Sequence, residues 1–343
     1  MANIALRNPQ YKNIVAATVG STNPLSVSCK ITIDGTLRYT LIKNNPVVGS
    51  NVQFDISELS RDYLNIVYKS NYGAITIRID TVLSTHSLTN GTGNVLSTTS
   101  TLDVGFEAYG TFDEGANPIV PFLTSASAQF LIAPNFSGNT DGTPPAKWQI
   151  YYPTGQEGYV AYMNSTGVLA VYNFNGNATS QAGQGNICTI KRIDCTKYGI
   201  GNKIIFINKY GVQQDLWFFL KETKKVNRSN ENYKANTIVY PTAGKANYEV
   251  SNAPNKLFNT QAKQSVTLSS GYYPEQANEM FQQLLMSEYV WLERPVNSNP
   301  TANERVPVIV KDSSIDFKTS VNDRLIQYTM QFDNAFDYIN NIR

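Results

Sequence analysis

From Leu25 to Ile33 the chain reads LSVSCKITI, with apolar side chains at 25, 27, 29, 31 and 33 and polar ones between them. This period of two predicts a strand with one dry face. Asp34-Gly35 follows as a tight-turn dipeptide, and Arg38 to Lys43 resumes with Tyr39 and Leu41, which predicts a hairpin. At Asp55 the period changes. Ile56, Leu59 and Tyr63 share one helical face, Asp55 is placed to cap the first turn, and Glu58 is placed to reach back to it. Ile75 to Ile79 alternates again as a strand, residues 84 to 100 read as an exposed polar loop, and strand-like residues return from Thr101 to Tyr109.

Beyond residue 110 the pattern predicts more short strands. Trp148 to Tyr152 is one, and Tyr159–Met163 and Val168–Tyr172 flank a four-residue connection, Asn164-Ser165-Thr166-Gly167. Ile187 to Ile193 alternates. Residues 135 to 145 and 173 to 185 are poor in apolar side chains and read as exposed loops. The run 204–219, IIFINKYGVQQDLWFF, holds two heavy apolar segments joined around Gly211, as hairpins require. Lys209 and Tyr210 are expected to be exposed at the shoulder of that turn. With Asp215 they are the only chemistry-bearing side chains there, and nothing close in sequence would activate a nucleophile, so a structural corner is expected.

Residues 221 to 236 are charged and amide-rich and read as a boundary or long excursion, with a short strand at Val266 to Leu268. Pro274 to Met286 is the one strong helical pattern. Pro274 suits its first turn, Glu275 and Glu279 suit its positive end, and Ala277, Met280, Phe281, Leu284 and Leu285 make an apolar stripe. Tyr289 to Leu292, Val306 to Val310 and Ile326 to Phe332 read as strands, with a polar loop at 297 to 304. The expected fold is mainly β: two or three antiparallel β-sandwich-like domains with a few short helices. The expected division is 1–110, 111–220 and 221–343, the last holding the helix at about 274–287.

Composition narrows the function. Of 343 residues 41% are hydrophobic and only 16% charged, below the roughly 25% of an average domain. A surface built from Ser, Thr, Asn and Gln suits large packed interfaces, where desolvating charge is costly. The net charge of +2 is too small for a phosphate-tracking surface, and Lys221, Lys224, Lys225 and Arg228, with Glu222 among them, read as a solvated loop. No nucleic-acid partner is expected. No apolar run is long enough to span a bilayer, and the first residues, MANIALRNPQYKN, lack a secretory leader pattern. Cys29, Cys188 and Cys195 read as reduced thiols of a chain folded in a cytosol.

Candidate chemistry is sparse. His86 is the single histidine, three scattered cysteines do not make a zinc set, and Gly91-Thr92-Gly93 lacks the rest of a phosphate-binding motif. Asp113-Glu114 has the residue type of half a glycosidase pair but the setting of a solvated turn. Trp148, Tyr151 and Tyr152 have rings that stack on sugars or fill a core. The reading is of no enzyme, with no catalytic, cofactor-binding or metal residues and no cofactor.

Four stretches in order carry a resemblance: the Asp-Gly hairpin leading into FDISELSRDYL, then FEAYGTFDEGANP, then INKYGVQQDLWFF, then the helix followed by EYVWLE, VPVIV and IDFKTSVNDRLIQYTMQFDNAFDYINN. Together, over about residues 12 to 340, they resemble structural proteins of tailed bacteriophages that infect Bacteroidetes, of the crAss-like type. The resemblance implies a virion protein made in the host cytoplasm: a hub, ring or baseplate-like adaptor of the tail. Its partners would be copies of itself in a symmetric ring and neighbouring tail proteins. Two rival readings stay open: a receptor-binding tip that recognises host surface glycans, and a polysaccharide-cleaving tail protein using Asp113 or Glu114.

Overall fold

The computed structural model describes residues 2–7, 9–66, 74–85, 95–107, 111–112, 118–119, 129–133, 148–166, 168–183, 186–194, 201–240, 243–248, 251–296, 299–316 and 326–337. The chain is mainly β, with several antiparallel sheets in a sandwich-type arrangement and two short α-helices. Two strand pairs, described below, run parallel.

The first sheet uses β1 (Ala2–Ala5), β3 (Ser26–Ile33), β4 (Thr36–Asn44), β6 (Ala74–Ser84) and β7 (Val95–Phe106) in the order β1-β7-β6-β3-β4, with β1 parallel to β7. The alternation that marked β3 is what buries Val27, Cys29, Ile31 and Ile33 against Ile75, Ile77 and Ile79 of β6. Asp34 (φ 46°) and Gly35 (φ 80°) both take the left-handed conformation that a two-residue hairpin needs. A ribbon of β2 (Tyr11–Val15) and β5 (Asn51–Asp55) covers this core. Helix α1 (Ser57–Arg61) follows, its start fixed by the Asp55 carboxylate, which accepts from the Ser57 amide at 2.9 Å. Ile56, Leu59 and Tyr63 pack inward as the pattern requires. The expected loop at 84–100 is shorter than the sequence suggests, because β7 already begins at Val95. Ser97 to Ser100 are polar and pair in register with Leu83 to Asp80, and the register shifts before the last pair, Ser84 with Val95.

The middle of the chain makes small sheets. Strands β8 (Thr111–Phe112) and β9 (Pro118–Ile119) pair with each other. Strand β10 (Gln129–Phe130) joins β12 (Gly158–Met163) and β13 (Leu169–Phe174), while β11 (Trp148–Pro153) lies parallel to β15 (Asn186–Ile193), which also pairs with β14 (Ser180–Gly183). The expected loop at 173–185 therefore contains a strand and the buried Phe174.

The largest sheet has seven strands. They are β16 (Asn202–Ile207), β17 (Gln213–Phe218), β18 (Glu222–Lys234), β21 (Asn255–Tyr273), β22 (Val290–Val296), β23 (Asn299–Val310) and β24 (Ile326–Asn334), in the order β17-β16-β22-β23-β24-β21-β18. Between β18 and β21 a two-stranded hairpin, β19 (Ile238–Val239) with β20 (Asn247–Tyr248), forms a tip. Helix α2 (Asn278–Met286), led in by a 3₁₀ turn at Glu275–Ala277, lays Met280, Phe281 and Leu284 on the core.

Four expectations are corrected by this sheet. The excursion at 221–236 is strand β18, and the short strand at Val266 is the middle of the 19-residue β21. The polar stretch 299–304 is likewise part of β23. In addition, β16 and β17 lie before residue 220 yet belong to a sheet whose other strands come after it, so the expected boundary at 220 divides one sheet.

One core joins the two three-stranded sheets, the large sheet and α2. Aromatic rings carry it: Trp148, Phe130 and Tyr162 meet edge to face, and Tyr273, Phe281 and Tyr328 form a second run. Such pairs add about 0.5–1.5 kcal/mol each beyond their burial. This is where the high aromatic content goes. Trp148 and Tyr152 are buried, so neither is free to stack on a sugar.

Candidate interaction surface

Strand β24 supports β21 only from Ser265 to Tyr273. Beyond that, β21 pairs with β18 alone, out to the Lys234–Asn255 partners. From Ser265 to Asn255 the ribbon climbs about 33 Å at roughly 3.3 Å per residue. Burial ends soon after the support ends: among the described residues Ala262 is the outermost buried one of β21, and β18 is exposed along almost its whole length. The 228–264 ribbon and its tip therefore form a projecting arm.

The arm's surface is unlike a solvated loop. Tyr233, Ile238, Val239, Tyr240, Leu257 and Phe258 are all exposed, Tyr240 to 71%. Tyr233 and Phe258 meet edge to face at 6.4 Å on one side of the ribbon, while Leu257 lies on the other by alternation. Among the described residues β18 has no second strand beside it, so its outer edge presents unpaired backbone groups. An isolated two-stranded hairpin is marginally stable in water, and clustered exposed apolar groups mark interaction sites. The arm also holds a charge surplus. Residues 221–264 contain eight Lys and Arg against three acids, whereas residues 265–343 contain ten acids against six Lys and Arg. Read over the whole chain, a net charge of +2 hides this asymmetry.

A second feature fixes the N-terminal sheet to the rest. Glu107, at the end of β7, is buried and accepts from Arg61 at 2.9 Å and from Arg7. Both guanidiniums also hold Glu288, just past α2, at 2.7 Å from Arg7 and 2.8 Å from Arg61. Burial acts to lower the Arg61 pKa, but the two carboxylates outweigh it and raise it. The hydrogen bond from Arg7 leads the causes that lower the Glu288 pKa. Beside this clasp, Ala5 and Phe106 pack with Leu131, Ala161, Met163, Tyr210 and Val212.

That packing corrects the expectation for the 208–212 turn. It is the hairpin corner foreseen, but Tyr210 is buried, not exposed, because it plugs the seam between the two parts. Its phenol is pushed well above its usual value, by burial first and then by the charge of Glu279. Lys209 pairs with Glu279 of α2. Asp215 is buried apart from both, and accepts from the Tyr152 hydroxyl at 2.7 Å. It belongs to a charged group that the sequence reading missed. Lys203 Nζ lies 2.8 Å from Glu293 and 3.8 Å from Asp215, above the Trp217 ring at 5.7 Å. The available signal was three ionisable residues inside strongly apolar strands.

Cys29 and Cys188 are buried free thiols, raised by burial to about 11 and about 12, with Lys12 slightly opposing the shift at Cys29. His86, Asp113, Glu114, Cys195 and the glycines at 91 and 93 lie outside the described residues. Among the described residues no group of three or more His, Cys, Asp or Glu is placed to hold a metal, and no helix is long and apolar enough to cross a membrane. The chain matches no known protein family and is not significantly similar to any curated protein.

Proposed function

We propose that the chain is a structural component of a tailed-phage virion, a multimeric hub, ring or baseplate-like adaptor of the tail that works by joining subunits and performs no reaction. The observation that carries this reading is the arm. A chain that extends a two-stranded ribbon roughly 33 Å past its own sheet, and dresses it with exposed Tyr, Phe, Leu and Val, gains nothing from it as a monomer. Bound to a neighbour, the same ribbon and tip supply enough residues for a standard interface of about 20–30 residues a side. The order of sequence motifs resembling crAss-like phage tail proteins supports the virion setting, and the weakly charged surface suits close packing.

The test is direct. Purified protein should form discrete higher-mass species in analytical ultracentrifugation as concentration rises, and replacing residues 236–253 by a short Gly-Ser link should return it to monomer with its far-UV circular dichroism kept. Wild-type protein that stays monomeric at high micromolar concentration, and that occupies no position in a particle reconstruction, would overturn the reading.

A further inference from the structure

At the end of the seven-stranded sheet opposite the arm lies a cleft of ≈ 390 Å³. Its lining is mainly polar: Asp312, Ser314, Asp316, Gln327 and Thr329 border it with the half-buried Ile315. The cleft sets one apolar side chain, Ile315, beside two carboxylates in the acidic part of the chain, and the Asp312 carboxylate also accepts from the Gln331 amide at 2.8 Å. The arm tip has the complementary chemistry: Tyr240 stands exposed beside Val239, and Lys245 is exposed in the same tip.

The two cannot meet within one chain. The cleft residues Gln327 to Met330 pair with Tyr272 to Leu268 of β21, while the tip begins beyond Asn255. Along the strand that separation is about 45–55 Å, and the paired ribbon points away from the cleft. A tip that finds such a cleft finds it on another molecule. We infer that the Val239–Tyr240 tip of one copy docks in the Asp312/Asp316 cleft of a second copy, with Lys245 against its carboxylates. The contact joins two different surfaces, so it repeats from copy to copy and closes into a ring if the rotation permits. This inference rests on the reading of the chain as a self-assembling part.

Two variants in a Cys195→Ser background test it, one carrying Tyr240→Cys and the other Ser314→Cys. Mixed under mild oxidation, they should give a disulfide-linked dimer that neither gives alone, and raising the salt should weaken its formation, since opposite charges drive the approach. Adding Asp312→Asn and Asp316→Lys to the Ser314→Cys variant should cut the linked yield at least tenfold while circular dichroism stays unchanged. Oligomers that form without this cross-link would overturn the docking and leave the assembly reading standing. So would Tyr240→Cys linked to itself. Protein that remains monomeric throughout would overturn both.

Discussion

Glu107→Gln isolates the clasp between the N-terminal sheet and the rest of the chain. The Glu107 side chain is 2% accessible, and it receives Arg61 through Nε and Nη2 as well as Arg7. The amide keeps the shape and removes the charge, leaving two guanidiniums side by side with Glu288 as their shared carboxylate. Breaking a buried pair from one side costs about 3–5 kcal/mol. Because Glu288 still holds both arginines, the lower end, about 3 kcal/mol, is expected. Glu288→Gln is the control: it contacts the same two arginines, but its side chain is 55% accessible, and a pair so exposed contributes about 1 kcal/mol or less. Urea unfolding followed by two probes separates the parts. All three tryptophans, Trp148, Trp217 and Trp291, lie outside the N-terminal sheet, so fluorescence reports the larger body while circular dichroism reports both. In Glu107→Gln the circular dichroism transition should gain an early phase with no counterpart in fluorescence. If Glu288→Gln costs as much as Glu107→Gln, or if Glu107→Gln costs under about 1 kcal/mol, burial is not what sets the strength of the clasp.

Three further outcomes follow from the same structure. Because Glu288 has a lowered folded pKa, its contribution is complete above the unfolded value of about 4.3 and disappears as pH falls through the folded one; the stability gap between wild type and Glu288→Gln should therefore be constant from neutral pH to about 5 and close below that, and a gap that widens on acidification would contradict the assignment. Lys203→Met should destabilise by about 3–5 kcal/mol in thermal or urea unfolding, since it leaves Asp215 and Glu293 buried without their cation; a loss under about 1 kcal/mol would mean the three charges are not coupled. Cys29 and Cys188, raised by burial to about 11 and about 12, should resist alkylation at pH 8 in the native state and react only as fast as the protein opens; rapid native labelling at either position, read by mass spectrometry, would contradict their burial.

What the sequence revealed follows from where a dry face exists. β3, β6 and β24 alternate because one side of each is the better packed, and the period of two is the imprint of that packing. α2 was legible for the same reason at the helical period, with Phe281 and Leu284 fully buried. The Asp34-Gly35 turn was legible because left-handed backbone demands particular residues. Tyr210 was not, since its burial depends on Ala5 and Phe106, about a hundred residues or more away in sequence, and local pattern carries no trace of that seam. Lys203, Asp215 and Glu293 escaped as a group for the same reason: strands β16, β17 and β22 bring them together only through the pairing order of the sheet.

The arm escaped for the opposite reason. Both faces of β18 are wet, so ETKKVNRSNENYK has no periodicity to imprint, and by composition it is indistinguishable from a loop. Its strand character comes from backbone pairing with β21 and from nothing in its own side chains. A ribbon with no dry face of its own gains no hydrophobic stabilisation within the chain, yet this one keeps Tyr233, Leu257 and Phe258 at its surface, where they cost solubility. Under the proposed function, a second molecule would give those side chains their dry face. On the proposed assembly, the imprint of packing is missing from β18 because its packing partner is a second molecule, and the stretch hardest to read in the sequence is the one that assembly would use.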